Sequence, residues 1–184
     1  RETYGITELA PTVLTFGSWI GGDRDGHPFV TPDITRMTLE LQRNQILELY
    51  IADLDRIFDT LSSSTRLVDA SAELLASFER DREAFAQTVG EEDLRDQSEI
   101  YRVKTLFIWH RLRNTLGGEG PRYSDAREFL ADLQLMYDSL LMHRGDIIAR
   151  RLLLPLLSYG LRPHTVCLNA ISVIRHWTEH PGWY

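Results

Sequence analysis

The sequence has few of the features that mark secreted, membrane-spanning or nucleic-acid-binding proteins. Cys167 is the single cysteine among 184 residues, which excludes an internal disulfide framework and is typical of a reducing compartment. No apolar run approaches the roughly 20 residues that a membrane-spanning helix needs. Basic residues are outnumbered, and the net charge of −7 argues against a nucleic-acid-binding face. We therefore expect a cytoplasmic globular protein without a membrane or nucleic-acid partner.

The chain also lacks an initiator methionine and a hydrophobic signal region, since it begins Arg1-Glu2-Thr3-Tyr4. Its hydrophobic fraction of 43% and charged fraction of 26% are ordinary for a globular protein. We therefore expect an internal piece of a longer polypeptide.

Apolar spacing predicts a mostly helical, all-α chain with one short strand near its start. The β-branched and aromatic residues 12–19 predict the strand. Thr31 as N-cap and Pro32 at the first helical position predict a long helix that ends before the serines at 62–64. We divide the chain into a strand and glycine-rich loop (1–30), a helical part (31–160) and an atypical tail (161–184). Further helices are predicted over 71–89, 97–115, from a Ser124 cap to Met142, 145–158 and 164–177.

The glycine-rich loop Gly21–Gly26 is the most distinctive local feature. Three glycines, two carboxylates and a guanidinium fall within these six residues, and glycine allows backbone conformations closed to other residues. Asp23 and Asp25 resemble the start of a calcium loop, but the later ligands and the distal glutamate are missing. We therefore predict no metal here, and the loop is either a structural turn or a shaped part of a site.

Three segments resemble those of a known family, at 16–36, 99–115 and 129–160, and the first two contain the candidate site residues. The stretch from Phe16 to Thr35 resembles the segment FxSWxGGDRDGNPxVTPxxT of phosphoenolpyruvate carboxylase, with His27 in place of the family's asparagine. The segment from Glu99 to Thr115 is similar to the family pattern E-x-Y-R-x-x-L…R-L…T. The resemblance covers about the first 160 residues and stops after Leu161, where the family's L-D-x-R-Q motif is absent.

The resemblance implies a helical part of a larger α/β-barrel enzyme of the bacterial type. Such enzymes fix carbon dioxide by converting phosphoenolpyruvate and bicarbonate to oxaloacetate and phosphate, which supplies the tricarboxylic acid cycle. They use Mg²⁺, are homotetramers and are under allosteric control. By this resemblance Trp19 lines an apolar wall beside the carboxylation site, and Arg24 and Asp25 organise the loop. Arg102 matches a position that several members use to bind a sugar-phosphate activator.

The family's other catalytic motifs are missing, namely T-A-H-P-T with its histidine, the G-R-G-G loop and the acidic metal ligands. We therefore expect the isolated chain to be inactive and to bind no Mg²⁺. Two alternatives remain open: a stand-alone, non-catalytic helical binding or assembly module, and a phosphate sensor acting through Arg102. His176 and His180 are spaced to share a metal on one helix face, but a surface pair is the better interpretation.

Overall fold

The computed structural model describes residues 20–22, 28–61, 69–90 and 99–160. These ranges are mostly helical and contain no strand, so the helical class is confirmed for them. The strand predicted at 12–19 and the helix predicted at 164–177 lie outside the described residues, as does Cys167. In chain order the elements are α1 (Pro32–Leu61), α2 (Ala72–Ala84), α3 (Ile100–Leu116), α4 (Ala126–Met142), α5 (Asp146–Ile148), a π-helix (Ala149–Leu153) and α6 (Leu154–Gly160).

Helix α1 begins where its sequence signals place the start. The Thr31 hydroxyl oxygen accepts a hydrogen bond from the Ile34 amide at 3.4 Å. Pro32 occupies the first helical position, where its missing amide proton leaves no donor unsatisfied. The helix is described as far as Leu61, and its predicted start is confirmed.

The start of α4 differs from the prediction by one residue. Asp125 is the N-cap, because its carboxylate accepts from the Arg127 amide at 2.8 Å and the Glu128 amide at 3.1 Å. Ser124, which we predicted as the cap, instead donates its amide and hydroxyl to the Glu128 carboxylate. Both residue types are good caps. The two amides that donate to the Asp125 carboxylate place the cap at Asp125, and Glu128 binds the residue before the cap rather than the amide of the cap itself.

Helix α2 is shorter than the predicted range of 71–89. It ends at Ala84, and the chain continues in turns whose Thr88 and Val89 amides both donate to the Phe85 carbonyl. Phe85 and Val89 are nevertheless buried, because the turns bring them under α3. Leu75 of α2, by contrast, is 41% exposed.

The helices enclose two apolar clusters. In the larger one, α1 packs along α3, while α4, the π-helix and α6 cover it. In the smaller one, residues of α2, of the turns after it and of α3 pack together, with rings of Phe85 and Phe107 stacked 5.6 Å apart. No helix in the described part of the chain is both long and apolar enough to cross a bilayer.

Candidate functional site

The described part of the glycine-rich loop is fastened to the start of α1. Gly21 has φ +72°, in the left-handed region that favours glycine. Its carbonyl accepts a hydrogen bond from the Thr35 hydroxyl at 2.6 Å. A Cβ at Gly21 would collide with the side chain of Thr38. Backbone conformation and close approach therefore both require glycine here, and the loop departs from a fixed point on α1.

The other loop residues singled out from the sequence lie outside the described residues. Trp19 comes two positions before Gly21, and Arg24 and Asp25 follow three and four positions after it. Their predicted roles stay predictions. The same holds for His27, His176 and His180.

We expect Gly21→Ala to destabilise the chain by about 1–3 kcal/mol, the usual cost of a strained backbone residue. The matched control is Gly117→Ala at the end of α3, where an added Cβ meets no atom within 4 Å. That control should stay within about 0.5 kcal/mol of the unsubstituted chain. Urea unfolding followed by circular dichroism measures both. Equal losses would contradict the tight docking of Gly21.

Arg102, the predicted effector residue, is held within the helical scaffold. One guanidinium nitrogen donates to the Glu99 carboxylate at 2.8 Å, and the Arg102 side chain is 30% exposed. Its guanidinium carbon lies 4.2 Å from the centre of the Phe58 ring, a cation–π arrangement. These contacts fix the guanidinium in place, and its remaining exposure leaves an edge that an anion could approach.

Tyr101, the neighbour of Arg102 in the same motif, is structural. Its hydroxyl lies 2.6 Å from the Ser139 hydroxyl and 3.0 Å from the Asp69 carbonyl, to which it donates. Ser139 in turn accepts from the Ser71 amide at 2.9 Å. Helix α3 is thereby tied to α4 and to the N-cap of α2. The motif therefore combines a buried tether at Tyr101 with a partly exposed cation at Arg102.

A buried charge cluster that sequence reasoning missed lies between α2, α3 and α4. The Lys104 ammonium donates to the Asp81 carboxylate at 2.5 Å, to Asp132 at 2.8 Å and to the Ser77 hydroxyl at 2.8 Å. Lys104 is wholly buried and the Asp81 side chain is 4% exposed. Arg111 donates to the second oxygen of Asp81. The two cations therefore match the two carboxylates.

The polar groups at the centre of the cluster are all paired with one another, so none is available to bind or react with a ligand. An ammonium has three donors, and the three acceptors around Lys104 use all of them. The second oxygen of Asp132 accepts from the Tyr123 hydroxyl at 2.8 Å. We therefore interpret the cluster as structural. One signal in the sequence could have found it: Lys104 is the only lysine among 20 basic residues, at a position where the geometry suits a compact ammonium.

We expect Tyr123 to make the chain less stable as the pH rises above about 10. Burial, followed by the nearby Asp132 carboxylate, raises the pKa of Tyr123 well above the ordinary value of 10.0. Above that value the unfolded chain loses a proton that the folded chain keeps, so stability falls with pH. Tyr123→Phe should flatten this decline in urea unfolding between pH 9 and pH 11. Parallel pH profiles would contradict the prediction.

The described residues do not supply a site for a divalent cation. No group of three histidine, cysteine, aspartate or glutamate side chains that could hold a metal comes together within them. Asp81 and Asp132 are the carboxylates drawn together at the centre of the scaffold, and Lys104, Arg111 and Tyr123 occupy their oxygens. These residues therefore do not fit a Mg²⁺ ion.

Comparison with known proteins shows similarity to one family over most of the chain, beyond the glycine-rich loop and the motif in α3. The model of the family "Phosphoenolpyruvate carboxylase" matches residues 3–162. The phosphoenolpyruvate carboxylase of Xanthomonas euvesicatoria pv. vesicatoria is 38% identical over 164 residues, which cover 87% of this chain and 18% of the relative. The enzyme of Ralstonia nicotianae is 37% identical over 161 residues (81% and 16%), and that of Trichormus variabilis is 36% identical over 139 residues (68% and 14%).

The helical fold and these matches show that the chain is a helical segment from a family of lyases. The chain belongs to the phosphoenolpyruvate carboxylase family. It spans less than a fifth of the length of the curated relatives that it matches.

Proposed function

We propose that this chain is the part of a phosphoenolpyruvate carboxylase that holds one loop beside the carboxylation site on a helical scaffold. The observation that carries the proposal is the attachment of Gly21 to Thr35 and Thr38 of α1, within a chain whose family match runs from residue 3 to 162. The whole protein would convert phosphoenolpyruvate and bicarbonate to oxaloacetate and phosphate in the cytoplasm, as a homotetramer under allosteric control.

In this proposal the chain's own residues bind and orient rather than transfer a proton or a group. Trp19, two residues before Gly21 in the sequence, supplies an apolar wall in this proposal, while Arg24 and Asp25 keep the turn in shape. Mg²⁺ would stabilise the enolate charge of the reaction, and its ligands would come from the rest of the polypeptide. We therefore expect the isolated chain to be catalytically inactive.

The proposal is tested with a hybrid enzyme in which residues 3–162 replace the aligned segment of the Xanthomonas euvesicatoria carboxylase. Oxaloacetate formation is measured with phosphoenolpyruvate, bicarbonate and Mg²⁺. The hybrid should turn over and the isolated chain should not. Turnover by the isolated chain would refute its inactivity, and a folded hybrid without activity would refute the proposed role. A stand-alone binding module, the second interpretation, predicts that inactive hybrid.

Trp19→Ala in the hybrid is expected to raise the KM for bicarbonate about tenfold or more, the usual effect of removing one apolar wall of a pocket. The KM for phosphoenolpyruvate should change much less, because the proposed wall faces the carboxylation step. Trp19→Phe is the matched control and should retain most of the activity. Unchanged bicarbonate kinetics in Trp19→Ala would exclude a site-lining role.

We further propose that Arg102 contributes to a sugar-phosphate effector site completed by residues outside this chain. A guanidinium fixed by Glu99 and Phe58 is suited to bind a phosphate, because little conformational freedom is lost on binding. The test is activation of the hybrid by glucose 6-phosphate. Arg102→Gln should reduce the activation ratio, and an unaltered ratio would exclude Arg102 from that site.

A further inference from the structure

Helix α1 is apolar on two opposite sides. One side carries Leu47, Tyr50 and Leu54 into the core, each at most 3% exposed. The other side carries an exposed row, which we call the outer face: Ile34, Met37, Leu41 and Leu49, exposed by 37%, 50%, 62% and 56%. The spacing of three, four and eight residues keeps this row along one side of the helix.

A groove continues the outer face. It lies between α1 and the segment formed by the π-helix and α6, and its cavity volume is about 560 Å³. Leu49 belongs to both the outer face and the groove. Apolar side chains form most of the groove, and charged side chains of Asp53, Arg56 and Arg151 also line it. Arg56 and Asp53 are paired at 3.1 Å, which leaves Arg151 as the excess charge.

A helix with apolar residues on both sides is typical of a helix covered on both sides. Contiguous apolar patches on a protein surface mark interaction sites. The curated relatives extend far beyond this chain, which covers only 18% of the Xanthomonas euvesicatoria enzyme. Most of such a polypeptide is therefore available to cover α1.

We propose that the outer face and the groove dock another segment of the same carboxylase polypeptide, apolar in character and carrying a carboxylate that pairs with Arg151. The inference rests on the proposed function. A second copy of this chain is a poorer occupant, because each copy carries a net charge of −7 and two copies repel one another.

The three methionines of the chain provide the test. Met37 lies on the outer face, Met136 is buried and Met142 is 68% exposed on another surface. Peroxide oxidises exposed methionine to the sulfoxide, and mass spectrometry measures the rate at each position. In the isolated chain, Met37 and Met142 should react quickly and Met136 slowly. In the hybrid enzyme, the oxidation rate of Met37 should be at least about tenfold lower than in the isolated chain, as expected for a side chain removed from solvent.

A Met37 rate unchanged between the isolated chain and an active hybrid would overturn the docking proposal while leaving the proposed function intact. A folded but inactive hybrid in which Met37 is protected would overturn the proposed function and support docking at the outer face. Protection of Met37 in the isolated chain that grows with concentration would identify a second copy as the occupant and also overturn the proposal.

A substitution pair gives an independent readout. Leu41→Glu places a charge on the outer face, and Leu75→Glu places the same charge on an exposed position of α2. In the isolated chain neither should alter the melting temperature appreciably. In the hybrid, Leu41→Glu should lower it and Leu75→Glu should not. Equal melting temperatures of the two hybrid variants would contradict docking at the outer face.

Discussion

Replacing Lys104 with methionine should lower the free energy of unfolding by about 3–5 kcal/mol, the cost of leaving a buried charge without its partner. The substitution keeps much of the apolar stem but removes all three donors from Asp81, Asp132 and Ser77. Arg111 alone would then face two carboxylates. Since domains are stable by only about 5–15 kcal/mol, a loss of this size removes much of the stability. Urea unfolding followed by circular dichroism measures it.

The matched control is Arg113→Met, which removes a cation from an exposed position near the end of the same helix. That variant should lose less than about 1 kcal/mol. Lys104→Met combined with Asp81→Asn leaves one cation and one carboxylate at the cluster. The double variant should therefore be less damaged than the sum of the single ones. A loss below about 1 kcal/mol in Lys104→Met would contradict the structural role of the cluster.

Because Lys104 is the only lysine, amine acetylation offers a second measurement on the unsubstituted chain. A wholly buried ammonium reacts only when the structure opens, so the reaction at Lys104 reports the opening equilibrium. Ser77→Ala and Asp132→Asn should both speed acetylation, and Leu75→Ala should not. A native rate equal to that of the urea-unfolded chain would show that Lys104 is accessible.

Phe107→Ala should destabilise the chain by about 3–5 kcal/mol, as is usual for a buried phenylalanine truncated to alanine. Phe107 is fully buried, and its ring lies 5.6 Å from that of Phe85 and 5.7 Å from that of Phe78. Among the described residues the smaller cluster contains five buried side chains, so the loss of its central ring removes much of the apolar packing between α2 and α3.

Phe107→Leu is the control, and we expect a clearly smaller loss because most of the buried volume is kept. Hydrogen exchange adds a local readout: in Phe107→Ala the amides of α2 should exchange faster than those of α1. Uniformly faster exchange in both helices would show that the two clusters unfold as one unit.

Local signals predicted the helices well. The Thr31–Pro32 start of α1 and the glycines that end α3 at Gly117 depend on backbone groups only a few residues away. The same local character explains the error at Ser124, because two adjacent residues could both cap α4. The end of α2 was missed since Phe85 and Val89 continue the apolar spacing of a helix while the backbone turns.

The sequence by itself determined the family, through the run from Phe16 to Thr35, and the helical class, through its apolar periodicity. Only the tertiary structure decided which polar residues are buried together. The partners of Lys104 lie 23, 27 and 28 residues away along the chain, and no local pattern encodes such distances. It also decided that α1 keeps an apolar outer face, because exposure depends on which helices pack against α1.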